Sequence, residues 1–251
     1  MDSFLRWIGG KKALRNKLLE HFPEQGSYER YIEVFGGAGW LLFAKDRHAK
    51  LEVYNDINEN LVNLFRCVKY HDEELDRQLE WTLVSREQFV DAKEQLSIRG
   101  LTDIQRAARF YILIKQSFGA DIRNFGLDSR NMEKARGYLK EVSRRLNKVV
   151  IENVDFERLI NTYDREKAFF YLDPPYYDAE KRYPDRFNPE DHERLKNRLL
   201  ELKGRFVLSY NDCEPIRALY SDYEIIKVER FNNLFKENEN KRYHELIIKN
   251  F

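Results

Sequence analysis

The sequence predicts an α/β protein built on a largely parallel sheet, with ligands met at the strand ends. Three stretches carry that expectation. Residues Ala168 to Leu172 form an unbroken apolar and aromatic run that stops at Asp173-Pro174-Pro175-Tyr176-Tyr177. Tyr31 to Phe35 is a similar run that enters Gly36-Gly37-Ala38-Gly39 and then a helical pattern from Trp40 to Lys45. Tyr223 to Val228 and Glu245 to Ile248 read as an antiparallel pair at the end of the chain. A continuous hydrophobic strand fits a parallel sheet buried on both faces. Such sheets bind ligands at the carboxyl ends of their strands.

In chain order, Trp7-Ile8-Gly9-Gly10-Lys11 is a tight turn whose glycines permit close backbone approach. It sets Lys11 beside Trp7 as a cation and a ring for one ligand, or it is an ordinary turn into a helix over 12–20. Ala13, Leu14, Leu18 and Leu19 give that helix its apolar face. The strand, glycine turn and helix at 31–45 make a nucleotide cradle in which backbone amides face a ligand at a helix start. The glycine pattern is not a full G-x-G-x-x-G. Leu51 to Tyr54 is the next strand and ends at Asn55-Asp56. Asp56 lies 20 residues past Gly36, where an acid can accept both hydroxyls of a ribose. By itself it would equally cap a helix over 57–69.

Residues 70–148 read as helical and polar, with helices from Leu101 to Ser117 and from Met132 to Val149. The loop between them, Phe118 to Asn131, holds Arg123, Asn124 and Arg130 among glycines and aromatics. Arg and Asn are the side chains that read guanine and adenine edges by paired hydrogen bonds, and an aromatic can wedge or stack. Val149 to Asn153 is a strand ending at Asp155-Phe156, a carboxylate and a ring placed to sandwich an adenine. Asn188-Pro189-Glu190-Asp191 opens a helix with a cap, a first-turn proline and acids at the positive dipole end. Phe206 to Tyr210 is a strand ending at Asn211-Asp212. The 231–242 link reads as mobile.

Composition narrows the function. The chain has 251 residues, enough for a real core. Its two cysteines, Cys67 and Cys213, fit reduced thiols in the cytoplasm. No His/Cys cluster has metal-ligand spacing, and no run suits a signal segment or a membrane span. Net charge is only +1, yet residues 99–148 hold 12 basic and 5 acidic side chains, a surplus of +7. A basic middle in a near-neutral chain fits a polyanion-facing segment, or a solvated helical face.

Together these motifs resemble the Dam-like (class alpha) DNA adenine-N6 methyltransferases, along nearly the whole chain and in order. Trp7 to Lys11 resembles the family's N-terminal cofactor motif, and Glu33-Val34-Phe35-Gly36-Gly37-Ala38-Gly39 its glycine-rich motif. Asp56 resembles its ribose-binding acid and Asp155-Phe156 its adenosine-side pair. Asp173-Pro174-Pro175-Tyr176 resembles its catalytic signature, and Leu208-Ser209-Tyr210-Asn211-Asp212 the strand end that follows. The 118–131 loop departs from the pattern: it is shorter than the family's recognition hairpin and lacks an Asn-Val-Pro-Phe-Gly-like stretch, so the resemblance carries no target sequence.

The resemblance implies a Rossmann-like methyltransferase fold, a mixed seven-stranded sheet with an antiparallel last strand. It divides the chain into a catalytic domain (1–69 and 149–251) and a helical target-recognition insert (70–148). It implies S-adenosyl-L-methionine as cofactor, with Trp7, Lys11, Phe35, Gly36, Gly37, Ala38, Gly39, Asp56, Asp155, Phe156 and Asp173 around it. It implies double-stranded DNA as partner, met by Arg6, Arg123, Asn124 and Arg130, and a monomeric cytoplasmic enzyme needing neither metal nor membrane. Asp173 and the Pro174 carbonyl would accept the two hydrogens of an adenine amino group, with Tyr176 stacked on a flipped-out base and 177–188 as a lid. Three rivals stand beside this: an RNA adenine or cytosine amino methyltransferase, a nicotinamide-dependent oxidoreductase, and a catalytically silent nucleic-acid-binding module.

Overall fold

The computed structural model describes residues 1–126, 132–178, 187–231 and 242–251. The described strands are β1 (Arg30–Glu33), β2 (Leu51–Asn55), β3 (Val149–Glu152), β4 (Ala168–Leu172), β5 (Arg205–Asn211), β6 (Glu224–Phe231) and β7 (Arg242–Lys249). They form one mixed seven-stranded sheet in the order β3-β2-β1-β4-β5-β7-β6. β1 runs parallel to β2 and β4, and β4 parallel to β5. β7 inserts antiparallel between β5 and β6. This is the expected Rossmann-like sheet, antiparallel pair included.

The described helices are α1 (Arg15–Glu20), α2 (Glu59–Tyr70), α3 (Asp72–Leu79), α4 (Arg86–Ser97), α5 (Asp103–Gln116), α6 (Met132–Leu146), α7 (Phe156–Tyr163), α8 (Pro189–Leu200) and α9 (Glu214–Leu219). Three expectations need correction. The helix expected over 12–20 starts only at Arg15, and Ala13 is exposed rather than part of an apolar face. The helix expected from Trp40 to Lys45 is a single 3-10 turn, Leu42–Ala44, because Lys45 is already extended (φ −125°, ψ 153°). The glycine turn therefore does not open onto an α-helix N-terminus. The helix expected from residue 57 starts at Glu59, with Asn58 as its cap, accepting from the Leu61 amide at 2.8 Å. Asp56 is thus not the cap of α2.

The chain divides into two compact units. One comprises 11–36, 47–57 and 154–251 and carries every strand except β3. All five residues of β4 are buried, as an apolar run between parallel neighbours requires. Phe22 packs edge-on against Phe169 (4.7 Å between centroids), and Tyr28 lies 5.2 Å from the same ring. Asn55, buried at the end of β2, ties the strand ends together. Its amide nitrogen donates to the Val34 carbonyl (2.9 Å) and the Val154 carbonyl (3.1 Å), and its side-chain oxygen accepts from the Val154 amide (3.0 Å). Its own carbonyl accepts from the Gly36 amide at 2.7 Å.

The other unit comprises 1–10, 37–46 and 58–153, with α2 to α6 and β3. α5 opens on a capping box formed by Thr102 and Gln105. Phe4 packs against Phe65 at 5.1 Å and Phe43 at 6.0 Å. Several cations of the basic middle hold this unit together. Arg136 grips Asp76 through two bonds of 2.8 and 3.0 Å, Lys115 donates to the Phe4 carbonyl at 2.6 Å, and Arg145 donates to the Leu42 carbonyl at 2.8 Å. The surplus of +7 is thus partly structural rather than turned outward to a ligand.

Asn55→Ala is expected to destabilise the protein by about 2–4 kcal/mol, because it strands several buried main-chain groups at once. Urea unfolding followed by circular dichroism checks this; a loss below about 1 kcal/mol would show that the strand ends find other partners.

Candidate active site

Asp173 is the first residue past β4, and the prolines after it fix an extended backbone without amide donors. The end of β5 holds this turn in place. One step beyond the Leu172–Leu208 pair of the two strands, the Ser209 hydroxyl donates to Asp173 Oδ1 at 2.8 Å. Asn211 clamps the main chain of Tyr177, accepting from its amide at 3.0 Å and donating to its carbonyl at 3.3 Å. Between them, the Tyr210 hydroxyl lies 2.6 Å from His192 Nδ1 within the core. Asp212 faces the other way, onto Arg217 (2.6 Å) and Lys227 (3.4 Å).

The Lys11 ammonium is the cation of this site. It is 5% exposed and lies 2.6 Å from Asp173 Oδ1. It donates to the Tyr176 hydroxyl at 2.7 Å and stands 3.7 Å from Glu245 Oε2. The Tyr176 hydroxyl in turn donates to Glu245 Oε2. The ring that Lys11 meets is therefore Tyr176, whose centroid is 4.6 Å from the ammonium. Burial pushes the Asp173 carboxyl above the usual carboxylate range; Lys11 and the Ser209 hydroxyl pull it down, and Glu245 pushes it up again. Burial likewise drives the Tyr176 phenol well above its ordinary value, so it stays protonated and able to donate.

A second group of the same unit gathers Phe35, Phe156 and Phe187. The Phe35 ring lies 5.6 Å from Phe156 and 5.8 Å from Phe187. Gly36 leaves no room for a side chain, since a Cβ there would meet the buried Tyr54 ring at 2.2 Å. Asp155 caps α7, accepting from the Glu157 amide at 3.0 Å, and pairs with Arg194 at 2.5 Å. Arg194 also covers the Phe156 ring at 4.2 Å.

In the other unit, Trp7 lies against Gly37, where a Cβ would come within 3.0 Å of its ring and φ is +49°. Gly39 has φ +68°, with the Phe43 ring 3.1 Å from an added Cβ, and the Ala38 carbonyl accepts from Ser3 at 2.5 Å. Arg6 is exposed. In the 118–131 loop, Phe118 donates its amide to the Asn124 carbonyl (2.9 Å) and Gly126 to the Gln116 carbonyl (2.7 Å). The Asp121 carboxylate accepts from the amides of Arg123 (2.9 Å) and Asn124 (3.1 Å) and from the Asn124 side chain (2.9 Å). The Asn124 side chain is thus engaged within the loop, while Arg123 is exposed. Arg130 and most of the expected lid, 179–186, lie outside the described residues, as does 232–241 of the link.

Sequence reasoning did not find Ser209, Asn211, Phe187 or Glu245 as individual side chains. Glu245 left one trace, an acid heading the apolar run Leu246-Ile247-Ile248 in a strand. Among the described residues no cluster of three His, Cys, Asp or Glu forms a metal site, and no helix is long and apolar enough to cross a membrane.

The family described as D12 class N6 adenine-specific DNA methyltransferase matches residues 7–234. The chain is 27% identical over 274 residues to the type II methyltransferase M1.LlaDCHI of Lactococcus lactis subsp. cremoris, covering 99% of this chain and 95% of that protein. It is 28% identical over 291 residues to the type II methyltransferase M.MjaIII of Methanocaldococcus jannaschii, covering 99% and 98%. It is 24% identical over 243 residues to the retron Ec67 DNA adenine methylase of Escherichia coli, covering 89% and 82%.

Lys11→Met removes the counter-charge from the half-buried Asp173 and the buried Glu245 carboxylates. Stability is expected to fall by about 3–5 kcal/mol at pH 8. Without the ammonium the folded-state pKa of Asp173 rises further above its unfolded value. The penalty falls on the ionised form, so the loss shrinks as pH drops toward 5.5. Urea titrations at both pH values check this, and equal losses would deny the ammonium its electrostatic role.

Proposed function

This chain belongs to the D12 class N6 adenine-specific DNA methyltransferase family, and from that premise we propose that Asp173, the Pro174 carbonyl and Tyr176 form the methyl-transfer site. The chain is an adenine-specific DNA methyltransferase. The observation that carries our assignment is the half-buried Asp173 carboxylate at the end of β4, held by Lys11 and Ser209. Both donors meet Oδ1, so Oδ2 is the oxygen we assign to an adenine amino hydrogen. The Pro174 carbonyl takes the second hydrogen, and Pro175 stiffens the turn that aims it.

The adenine amino nitrogen is a poor nucleophile because its lone pair is delocalised into the ring. Two acceptors favour a more tetrahedral nitrogen with its lone pair turned outward. A preorganised carboxylate also stabilises the positive charge that develops on that nitrogen. The base leaves the duplex at a cost of roughly a few kcal/mol. Stacking on Tyr176, about 1–3 kcal/mol, offsets much of that.

S-Adenosyl-L-methionine, when bound, supplies the electrophilic sulfonium methyl. The residues present suit its adenosine part. Phe35, Phe156 and Phe187 gather as rings, Gly36 keeps the chain close under Tyr54, and Asp56 is not spent on capping α2. Asp56 would take the ribose hydroxyls and Phe156 the adenine face, with Asp155 holding the start of α7 beside it. Trp7, Gly37, Ala38 and Gly39 enter this reading through their motifs. Residues 70–148 are assigned to target recognition on double-stranded DNA, with Arg6, Arg123 and Arg130 as cations toward it. Asn124 acts there by fixing the loop with Asp121. The enzyme works as a cytoplasmic monomer, one duplex per copy.

Asp173→Ala is expected to cut methyl transfer from labelled cofactor to unmethylated DNA by about 10³-fold or more. Cofactor binding should remain measurable by calorimetry. Full activity would move the chemistry elsewhere. Arg123→Ala should weaken DNA binding by about 1–3 kcal/mol while sparing cofactor affinity. Unchanged DNA affinity would place recognition outside this loop. Single-base mapping of DNA from expressing cells should show N6-methyladenine in one discrete motif.

A further inference from the structure

We infer that Glu245 is a positioning residue of the transfer site, holding the Tyr176 hydroxyl and the Lys11 ammonium in the arrangement that receives the base. This rests on the reading of Asp173 to Tyr176 as that site.

Glu245 sits on β7, paired with Asn211 of β5 on one side and Val228 of β6 on the other. It is 2% exposed and runs directly into the buried Leu246, Ile247 and Ile248. Burying a carboxylate in such a strand is costly unless it is paired and bonded. A structural counter-ion for Lys11 does not by itself account for it, because Asp173 already stands 2.6 Å from that ammonium. With Glu245 the cluster holds two acids to one lysine. What Glu245 adds is a fixed end for Tyr176, whose hydroxyl donates to it and accepts from Lys11 at 2.7 Å. That bond sets the rotation of the ring on which the base would stack.

Glu245 also gives Lys11 a second seat. The ammonium stands 3.7 Å from Glu245 Oε2. When an amino group approaches Asp173, Lys11 can lean toward Glu245 without leaving the cluster or losing a counter-charge. The groups that face Asp173 are Lys11 from the N-terminal turn, Ser209 from β5, Glu245 from β7, Tyr171 from β4 and Tyr176 from its own turn. Glu33 of β1 acts one layer away, on Tyr171 and as the acceptor of the Tyr31 hydroxyl at 2.8 Å. Of these, Glu245 is the negative neighbour that holds the Asp173 carboxyl up. Its neutralisation therefore lowers the pH at which Asp173 becomes ionised.

The test uses single-turnover methyl transfer to unmethylated plasmid DNA at saturating cofactor and DNA. Glu245→Ala should slow transfer on the order of 10-fold or more, with the KM for DNA unchanged, and combining it with Tyr176→Phe should add little. Glu245→Gln keeps the shape and an acceptor for the tyrosine. It should recover most of the rate and move the acid limb of the pH profile to lower pH. Should the alanine variant fail to fold, the glutamine variant still reads the pH shift. Equal losses in both variants, additive with Tyr176→Phe and with an unmoved acid limb, would overturn the inference and leave Glu245 a structural charge. Asp173→Ala separates the two levels. If it is inactive while the Glu245 variants behave as wild type, only this inference fails. If it retains full activity, the site assignment fails first.

Discussion

The constraint on which the rest depends is the buried ammonium of Lys11. The Asp173–Tyr176 turn and Glu245 lie far from Lys11 in sequence, and the ammonium meets or approaches all three side chains. Burial, and to a lesser degree the Glu245 charge, push the Asp173 carboxyl up. The ammonium opposes that push and holds both side chains in place. A turn near the start of the chain is therefore tied to the end of β4, where methyl transfer is proposed. That gives a physical reason for a Gly-Gly-Lys turn to accompany an Asp-Pro-Pro-Tyr turn in one protein.

The end of β5 supplies the rigidity. Ser209 bonds the carboxylate and Asn211 clamps the Tyr177 main chain, while Tyr210 is anchored to His192 in the core. Alternation along a strand sends successive side chains to opposite faces, so one short segment both braces the turn and packs the interior. A stiff turn matters here because transfer depends on in-line placement of the reacting atoms, where small misplacements are expensive.

Much of this was legible in the sequence. Buried parallel strands announce themselves as unbroken apolar runs, and the proline pair marks where β4 stops. The antiparallel ending followed from strand patterning, and the family from the resemblance of its motifs in order. What escaped was long-range or side-chain specific. No local pattern tells that Lys11 meets Tyr176, or that an acid heading a C-terminal strand faces a tyrosine 69 residues earlier. The 40–45 segment has helical composition, yet only a 3-10 turn forms because Lys45 is already extended. Charge counts also do not separate internal from outward cations. Arg136, Arg145 and Lys115 contribute to a basic surplus, yet each is tied to acceptors within its own unit.

The 118–126 loop has one further consequence. Asp121 holds its backbone through the amides of residues 123 and 124, and the ladder-like bonds at Phe118 and Gly126 close its base. None of these bonds depends on the side chain at position 123. The frame of the loop is thus separable from the side chain at 123, which can be exchanged while these bonds stay in place. Under the proposed recognition role, DNA contacts at this loop would change by single substitutions without undoing its backbone bonds.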